Sequence, residues 1–228
     1  MKQLINGNAN QIQYLIEKYE IEVHDIVEMR GLNFICQNLV ENFPLNMQKE
    51  FHVSTYNWNP LHFAIFYKKV NILETLQKLF SSKLDIIWAT KMELADLHGG
   101  HEGVDPDPLK QTNQKIDPEI KELIEENQHL YGYILAILTM NLDCIDFLLH
   151  PDRVSCQLTT LKDILQLIKL CKIIKWASGV QFLVESEVAK NQFLIGPLQE
   201  KIDLVHYVMS SEFVTDLVPG SKADDDYL

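Results

Sequence analysis

The sequence predicts an all-α protein assembled from short helix pairs packed side by side. Two observations carry that expectation. In 228 residues there are only 9 Gly and 8 Pro, too few for a turn-rich β fold, while 46% hydrophobic and 23% charged residues are ordinary for a globular chain with a sizeable core. Apolar residues also recur three and four apart in short blocks, the period of a helix face. Two of those blocks, "NWNPLHFAIFYKKVNILETLQKL" at 57–79 and "YGYILAILTMNLDCIDFLL" at 131–149, follow one pattern. Two short helices joined by a tight turn cannot cover both their apolar faces, so each pair needs neighbours.

At the N-terminus, "NGNANQIQYLIEKYEIEV" reads as a turn at Asn6-Gly7-Asn8 followed by one helix whose inner face is Ile12, Leu15 and Ile16. Its partner helix is almost missing, and "GLNFICQNLVENF" at 31–43 is read as a degenerate second unit.

In the block at 57–79, Asn59 suits the N-cap, where its side-chain oxygen takes a free first-turn amide. Pro60 suits the first helical position, where its missing N–H costs nothing. Leu61, Ala64 and Ile65 form an apolar face, with Ala64 small enough for a neighbouring helix to approach closely. The chain turns at Lys68-Lys69, and Ile72, Leu73, Leu76 and Leu79 give the inner face of a second helix.

Residues 91–128 break the pattern. A Gly/Pro/Asp-rich middle, with 98–115 expected to be mobile or ordered by a partner, precedes a helix begun by Asp117-Pro118. Ile120, Leu123 and Ile124 form its apolar stripe. The block at 131–149 then restores the pair: Tyr133, Ala136 and Ile137 on the first helix, Ile145, Leu148 and Leu149 on the second. Further on, a helix within "LKDILQLIKLCKIIKW" and "GVQFLVES" at 179–186 read as another unit, and "EKIDLVHYVMSSE" repeats the second-helix pattern through Ile202, Leu204, Val205 and Val208. The end, "VPGSKADDDYL", is an acidic, exposed tail.

The block at 59–79 resembles an ankyrin repeat. Asn59-Pro60-Leu61-His62 stands where that family usually has Thr-Pro-Leu-His, and Ala64, Ile65, Ile72, Leu73 and Leu76 occupy its core positions. Lys68-Lys69 replaces the family's Gly-His between the helices. Ala136 follows Ala64 by 72 residues, somewhat over two periods of about 33; an insertion or one very degenerate unit between them accounts for the excess. The resemblance implies an all-α, ankyrin-like helical-repeat solenoid with degenerate repeats and a loop-plus-helix insertion. It places a single repeat domain over 1–217, with the insertion at about 91–128 and the flexible tail at 218–228. It also implies that the His62 imidazole bonds backbone groups of adjacent turns, with His24 serving similarly.

The chemistry-bearing residues form no recognisable catalytic pattern. There is no phosphate-binding glycine loop, GxSxG, HExxH or paired-cysteine metal motif. "HGGHE", with His98, His101 and Glu102, supports a metal-dependent enzyme only as a remote alternative, because a specific site needs three or four fixed ligands. "DPDP" at 105–108 lacks the regular oxygen ligands of a calcium loop. Lys169, Lys172 and Lys175 share one side of a helix, read as a solvated face, with docking of an acidic partner as the alternative. Cys36, Cys144, Cys156 and Cys171 sit in apolar helical contexts without CxxC spacing, as reduced core thiols of a cytoplasmic protein would.

The expected function is therefore non-catalytic protein–protein interaction, as a dedicated subunit or scaffold of a larger assembly. A structural component of a cytoskeletal or ciliary complex is the alternative. No cofactor or metal is expected. The net charge of −12 disfavours nucleic acid as a partner. The N-terminus lacks a signal peptide's apolar core, and no segment approaches the ~20 apolar residues of a membrane span. Tyr56 and Trp58, in the loop before the first helix, are the partner-binding candidates where ankyrin arrays present fingers to ligands. Phe66 and Tyr67 join them, unless they pack under the insertion; interface hot spots favour such side chains. Trp88 is assigned to the core.

Overall fold

In the computed structural model the described residues are 8–28, 58–80, 85–86, 90–91, 118–150 and 160–209. They are mostly helical, and no strand occurs among them. The chain divides into two compact units, Met1–Gln157 and Leu158–Leu228, where the sequence reading runs one repeat domain to 217. The degenerate unit at 31–43, Trp88, the loop at 98–115, the "HGGHE" and "DPDP" segments and the acidic tail lie outside the described residues.

The first unit contains α1 (Ala9–Lys18), α2 (Val23–Glu28), α3 (Pro60–Phe66), α4 (Val70–Leu79), α5 (Pro118–Glu126), α6 (Tyr131–Leu138) and α7 (Leu142–Leu149). Helix α1 starts at an Asn8 cap that accepts from the Gln11 amide at 3.1 Å, and it buries Ile12 and Ile16. Helix α5 begins at Pro118 and buries Ile120, Leu123 and Ile124, the stripe expected of it. A single 3-10 turn, Gln128–Leu130, leads from there into α6.

The expected helix pairs form at α3–α4 and α6–α7, and they share one turn geometry. Lys68 and Met140 both adopt left-handed backbone, with φ of 58° and 50°. Around the first, the Lys68 amide bonds the Ile65 carbonyl at 3.0 Å and the Lys69 amide bonds the Ala64 carbonyl at 2.8 Å. Around the second, Met140 bonds Ile137 at 2.8 Å and Asn141 bonds Ala136 at 2.9 Å. This is the Schellman closure, which satisfies the last carbonyls of one helix while the next begins. The same closure recurs at Lys175, φ 59°, where Lys175 bonds Lys172 at 2.9 Å and Trp176 bonds Cys171 at 2.7 Å.

Within this unit the pairs stack directly. Helix α3 packs on α6, and α4 packs on α7 and on α1, while α2 lies against α3. Helices α3 and α6 are buried along their whole length, as a helix that is apolar on all sides must be. Close approach depends on Gly132: a Cβ there would stand 2.4 Å from Thr90 Oγ1 and 3.6 Å from Ile65 Cδ1.

The second unit contains α8 (Leu161–Ile173), α9 (Ala177–Glu185), α10 (Glu187–Ile195) and α11 (Leu198–Met209). Helix α8 is the centre, packed by α9, α10 and α11. Thr160 caps it by accepting from the Asp163 amide at 3.2 Å, and the acidic Asp163 in the first turn suits the helix dipole. The α8–α9 turn is tight enough that a Cβ on Gly179 would lie 2.3 Å from Trp176 Cε3. Lys172 donates to the Tyr207 carbonyl, with its ammonium 3.7 Å from the centre of the Tyr207 ring. The expected lysine face is thus not wholly solvated: Lys172 is committed to α11, and Lys175 stands in the turn.

Candidate functional site

The six-residue run Trp58–Phe63 builds its own junction. Asn59 Oδ1 accepts from the Leu61 amide at 2.9 Å and the His62 amide at 3.3 Å. The Asn59 amide in turn donates to His62 Nδ1 at 3.0 Å, which closes a reciprocal capping box. With Nδ1 accepting, the ring carries its proton on Nε2, which donates to the Thr90 carbonyl at 3.0 Å. His62 Nδ1 also lies 2.9 Å from Asn59 Oδ1, but neither atom holds a proton in this tautomer, so that approach is no hydrogen bond. His62 is therefore a buried backbone tie between the α3 turn and Thr90, the structural role its position implies. His24 lies exposed on α2.

Burial corrects the partner-binding reading of Trp58 and, of the two readings open for Phe66, leaves packing. Both are 0% exposed, so neither indole nor phenyl ring is offered to a partner. The Trp58 ring meets Phe63 edge-on at 5.2 Å and Phe66 at 5.2 Å, and stacks on His62 at 6.1 Å. Its Nε1 donates to the Tyr131 hydroxyl at 3.2 Å, also in the core. Trp58, read as a finger, instead ties the start of α3 to α6. Tyr67 is half-buried beside Phe66, 5.4 Å between ring centres, so its ring is shared between core and surface. Tyr56 lies outside the described residues. Asn59, Pro60, Leu61, His62 and Ala64 are all buried.

Two further ties join these helices. The Tyr133 hydroxyl donates to the Leu148 carbonyl at 2.9 Å, which pins α6 to the end of α7. Cys144 Sγ lies 3.9 Å from the Ile65 carbonyl. Burial, with the Asp143 carboxylate adding to it, pushes the Cys144 thiol up to about 12. Burial also pushes the Cys171 thiol and the Tyr131 phenol upward. All three stay protonated near neutrality and none is a ready nucleophile. Among the described residues no group of three or more His, Cys, Asp or Glu side chains gathers to hold a metal.

The surface that asks for an occupant lies in the second unit. Leu194 (75% exposed) and Ile195 (77%) end α10, and Leu198 (72%), Ile202 (50%), Val205 (49%) and Met209 (64%) lie on α11. The last four fall at i, i+4, i+7 and i+11, one face of a helix. Lys201 bonds the Leu194 carbonyl at 3.1 Å and sits 5.8 Å from the centre of the Phe193 ring, so the end of α10 adjoins the first turn of α11. The sequence places Ile202, Leu204, Val205 and Val208 together on an inner face. Instead Leu204 is buried, Val208 is intermediate, and Ile202 and Val205 are exposed, because α11 turns its Leu204 side inward. The missed signal is the 4-3-4 apolar spacing itself. It runs alongside the buried stripe, and the helix is apolar over a wider arc than one contact can cover.

No protein-family model, curated protein or solved structure matches this chain. No described helix is long and apolar enough to cross a membrane.

Proposed function

We propose that this chain is a non-catalytic protein–protein interaction module, a dedicated subunit or scaffold of a larger assembly in a reducing compartment. The observation that carries this reading is the exposed apolar face of α10 and α11. Monomeric proteins rarely expose contiguous apolar patches larger than a few hundred Å², and larger ones mark interaction sites. The second unit that carries this face is ordered locally: Thr160 caps α8, Ser186 caps α10 and the turn at Lys175 is closed, which lowers the ordering cost of association. The ankyrin-like reading of the first unit belongs to the same proposal. It is supported by the Asn59-Pro60-Leu61-His62 cap, by the recurrence of one turn 72 residues apart, and by pair-on-pair stacking.

The test is affinity capture from native lysate with the tagged chain and with Ile202→Asp/Val205→Asp. Partner proteins held by the wild type and lost by the variant, with helical circular dichroism retained, support the reading. Equal retention by both forms removes the α11 face as the docking surface.

A further inference from the structure

We infer that α11 is a latched strap: it swings off α8 as one unit about a hinge at Gly196-Pro197, while α8 and α9 stay folded. This goes beyond the interaction reading and holds whatever covers the outer stripe of α11.

The anchoring is thin for a helix of this length. Of the twelve residues of α11 only Leu204 is buried. Glu200, Lys201, Tyr207 and Val208 complete the inner side half-buried. Helix α8, in contrast, buries seven residues, and α9 buries Gly179, Val180 and Leu183. An isolated helix as short as α11 is marginal in water, so its form depends on this one seam. Elements with few buried apolar contacts open locally, at less than the free energy of global unfolding.

Two groups act on the docked state with opposite signs. Lys172 of α8 donates to the Tyr207 carbonyl, with its ammonium 3.7 Å from the centre of that ring. It thereby holds the last turn of α11 and sets a cation at the negative end of the helix dipole. Glu200, in the first turn, opposes docking. Its Oε2 is buried with no hydrogen-bond partner among the described residues, and a carboxylate oxygen stripped of water costs free energy that undocking recovers.

The hinge is equally local. The Gly196 amide closes α10 on the Gln192 carbonyl at 2.7 Å, and the Pro197 carbonyl opens α11 by accepting from the Lys201 amide at 3.2 Å. Only Gly196 and Pro197 separate the two helices. A Cβ at Gly196 would stand 2.8 Å from the Gln192 carbonyl oxygen, so the bend needs glycine, which also has the backbone freedom to change angle. The Lys201 ammonium, 3.1 Å from the Leu194 carbonyl, crosses the hinge on its exposed side, where water replaces that bond at little cost. Opening bares Leu204 and frees the Lys172 ammonium, so one motion alters both the apolar and the charged surface of the unit.

The experiment is residue-resolved amide exchange of the full chain by NMR. The expected result is one common opening for residues 202–209, at least about a hundredfold more frequent than the opening that exposes the centre of α8. Lys172→Met should quicken exchange in α11 about ten- to a hundredfold, the worth of one charge-assisted hydrogen bond, and leave α8 and α9 unchanged. Glu200→Met should slow it about three- to tenfold, because relief of the buried oxygen outweighs the lost first-turn charge. Lys162→Met, exposed on the same helix as Lys172, should change nothing and controls for charge. Protection in α11 equal to that of α8 overturns the inference. So does exchange graded inward from Met209, which is end fraying, or an opening that α10 shares, which moves the hinge. Should Lys172→Met lose its helical circular dichroism, the wild-type profile and Glu200→Met still decide, and a Glu200→Met that quickens α11 contradicts the latch.

Discussion

The indole N–H of Trp58 and the hydroxyl of Tyr131, 73 residues apart in sequence, meet at 3.2 Å in the core. This bond joins two helix pairs that pack directly against each other, and it is isolated from water. Tyr131→Phe leaves the Trp58 donor unpartnered and should cost about 1–3 kcal/mol, whereas Trp58→Ala should cost about 3–5 kcal/mol by opening a cavity. Urea unfolding measures both. A double-mutant cycle with Trp58→Phe should show the two losses to be less than additive.

The pairs turn on residues with a Cβ in left-handed backbone. Lys68, Met140 and Lys175 each carry a strain that glycine lacks. Replacing any of them by Gly should raise stability by about 0.5–1 kcal/mol. The sign is diagnostic, because Gly at an ordinary helical position destabilises by a similar amount. Thermal midpoints of the three single variants decide it.

Gly179 has the opposite requirement. Its missing Cβ is the space filled by the Trp176 ring, so Gly179→Ala should destabilise the second unit by about 1–3 kcal/mol. Trp176 emission should shift as the indole is displaced, and an unchanged emission spectrum would argue against the packing described.

The raised thiols give a pH dependence with a definite sign. Folded Cys144 and Cys171 keep protons that the unfolded chain sheds above its ordinary value of ~8.5. Their contribution is complete below that pH and declines as pH climbs toward about 12, the folded value of Cys144. Peptide-resolved alkylation at pH 8 should leave both cysteines unmodified in native protein and label both in denaturant. Rapid native labelling at either position contradicts the burial.

Much of the local structure was legible in the sequence. The Asn59 cap, Pro60 at the helix start, the Asp117-Pro118 start of α5 and the apolar spacing of α3, α4, α6 and α7 all follow from short-range rules. The left-handed turns were not, because Lys68, Met140 and Lys175 lack the glycine that normally announces them. Trp58 was misread although a local signal existed: it precedes the cap, and Phe63 stands at the fourth helical position, the pairing of a hydrophobic staple. The burial of Phe66 depends instead on how α3 and its neighbours fold over it, which helix periodicity cannot reveal. On α11 the pattern offers two adjoining apolar stripes, and only packing against α8 selects Leu204 for the interior.

The central claim is that the apolar surface around Trp58 and Phe66 is core while that of Ile202 and Val205 is interface. Urea unfolding of Trp58→Ala/Phe66→Ala beside Ile202→Asp/Val205→Asp, at a dilution where chains are separate, tests it directly. The account predicts a loss of several kcal/mol for the first variant and a change within about 0.5 kcal/mol for the second. A first variant as stable as wild type, or a second that unfolds, contradicts it.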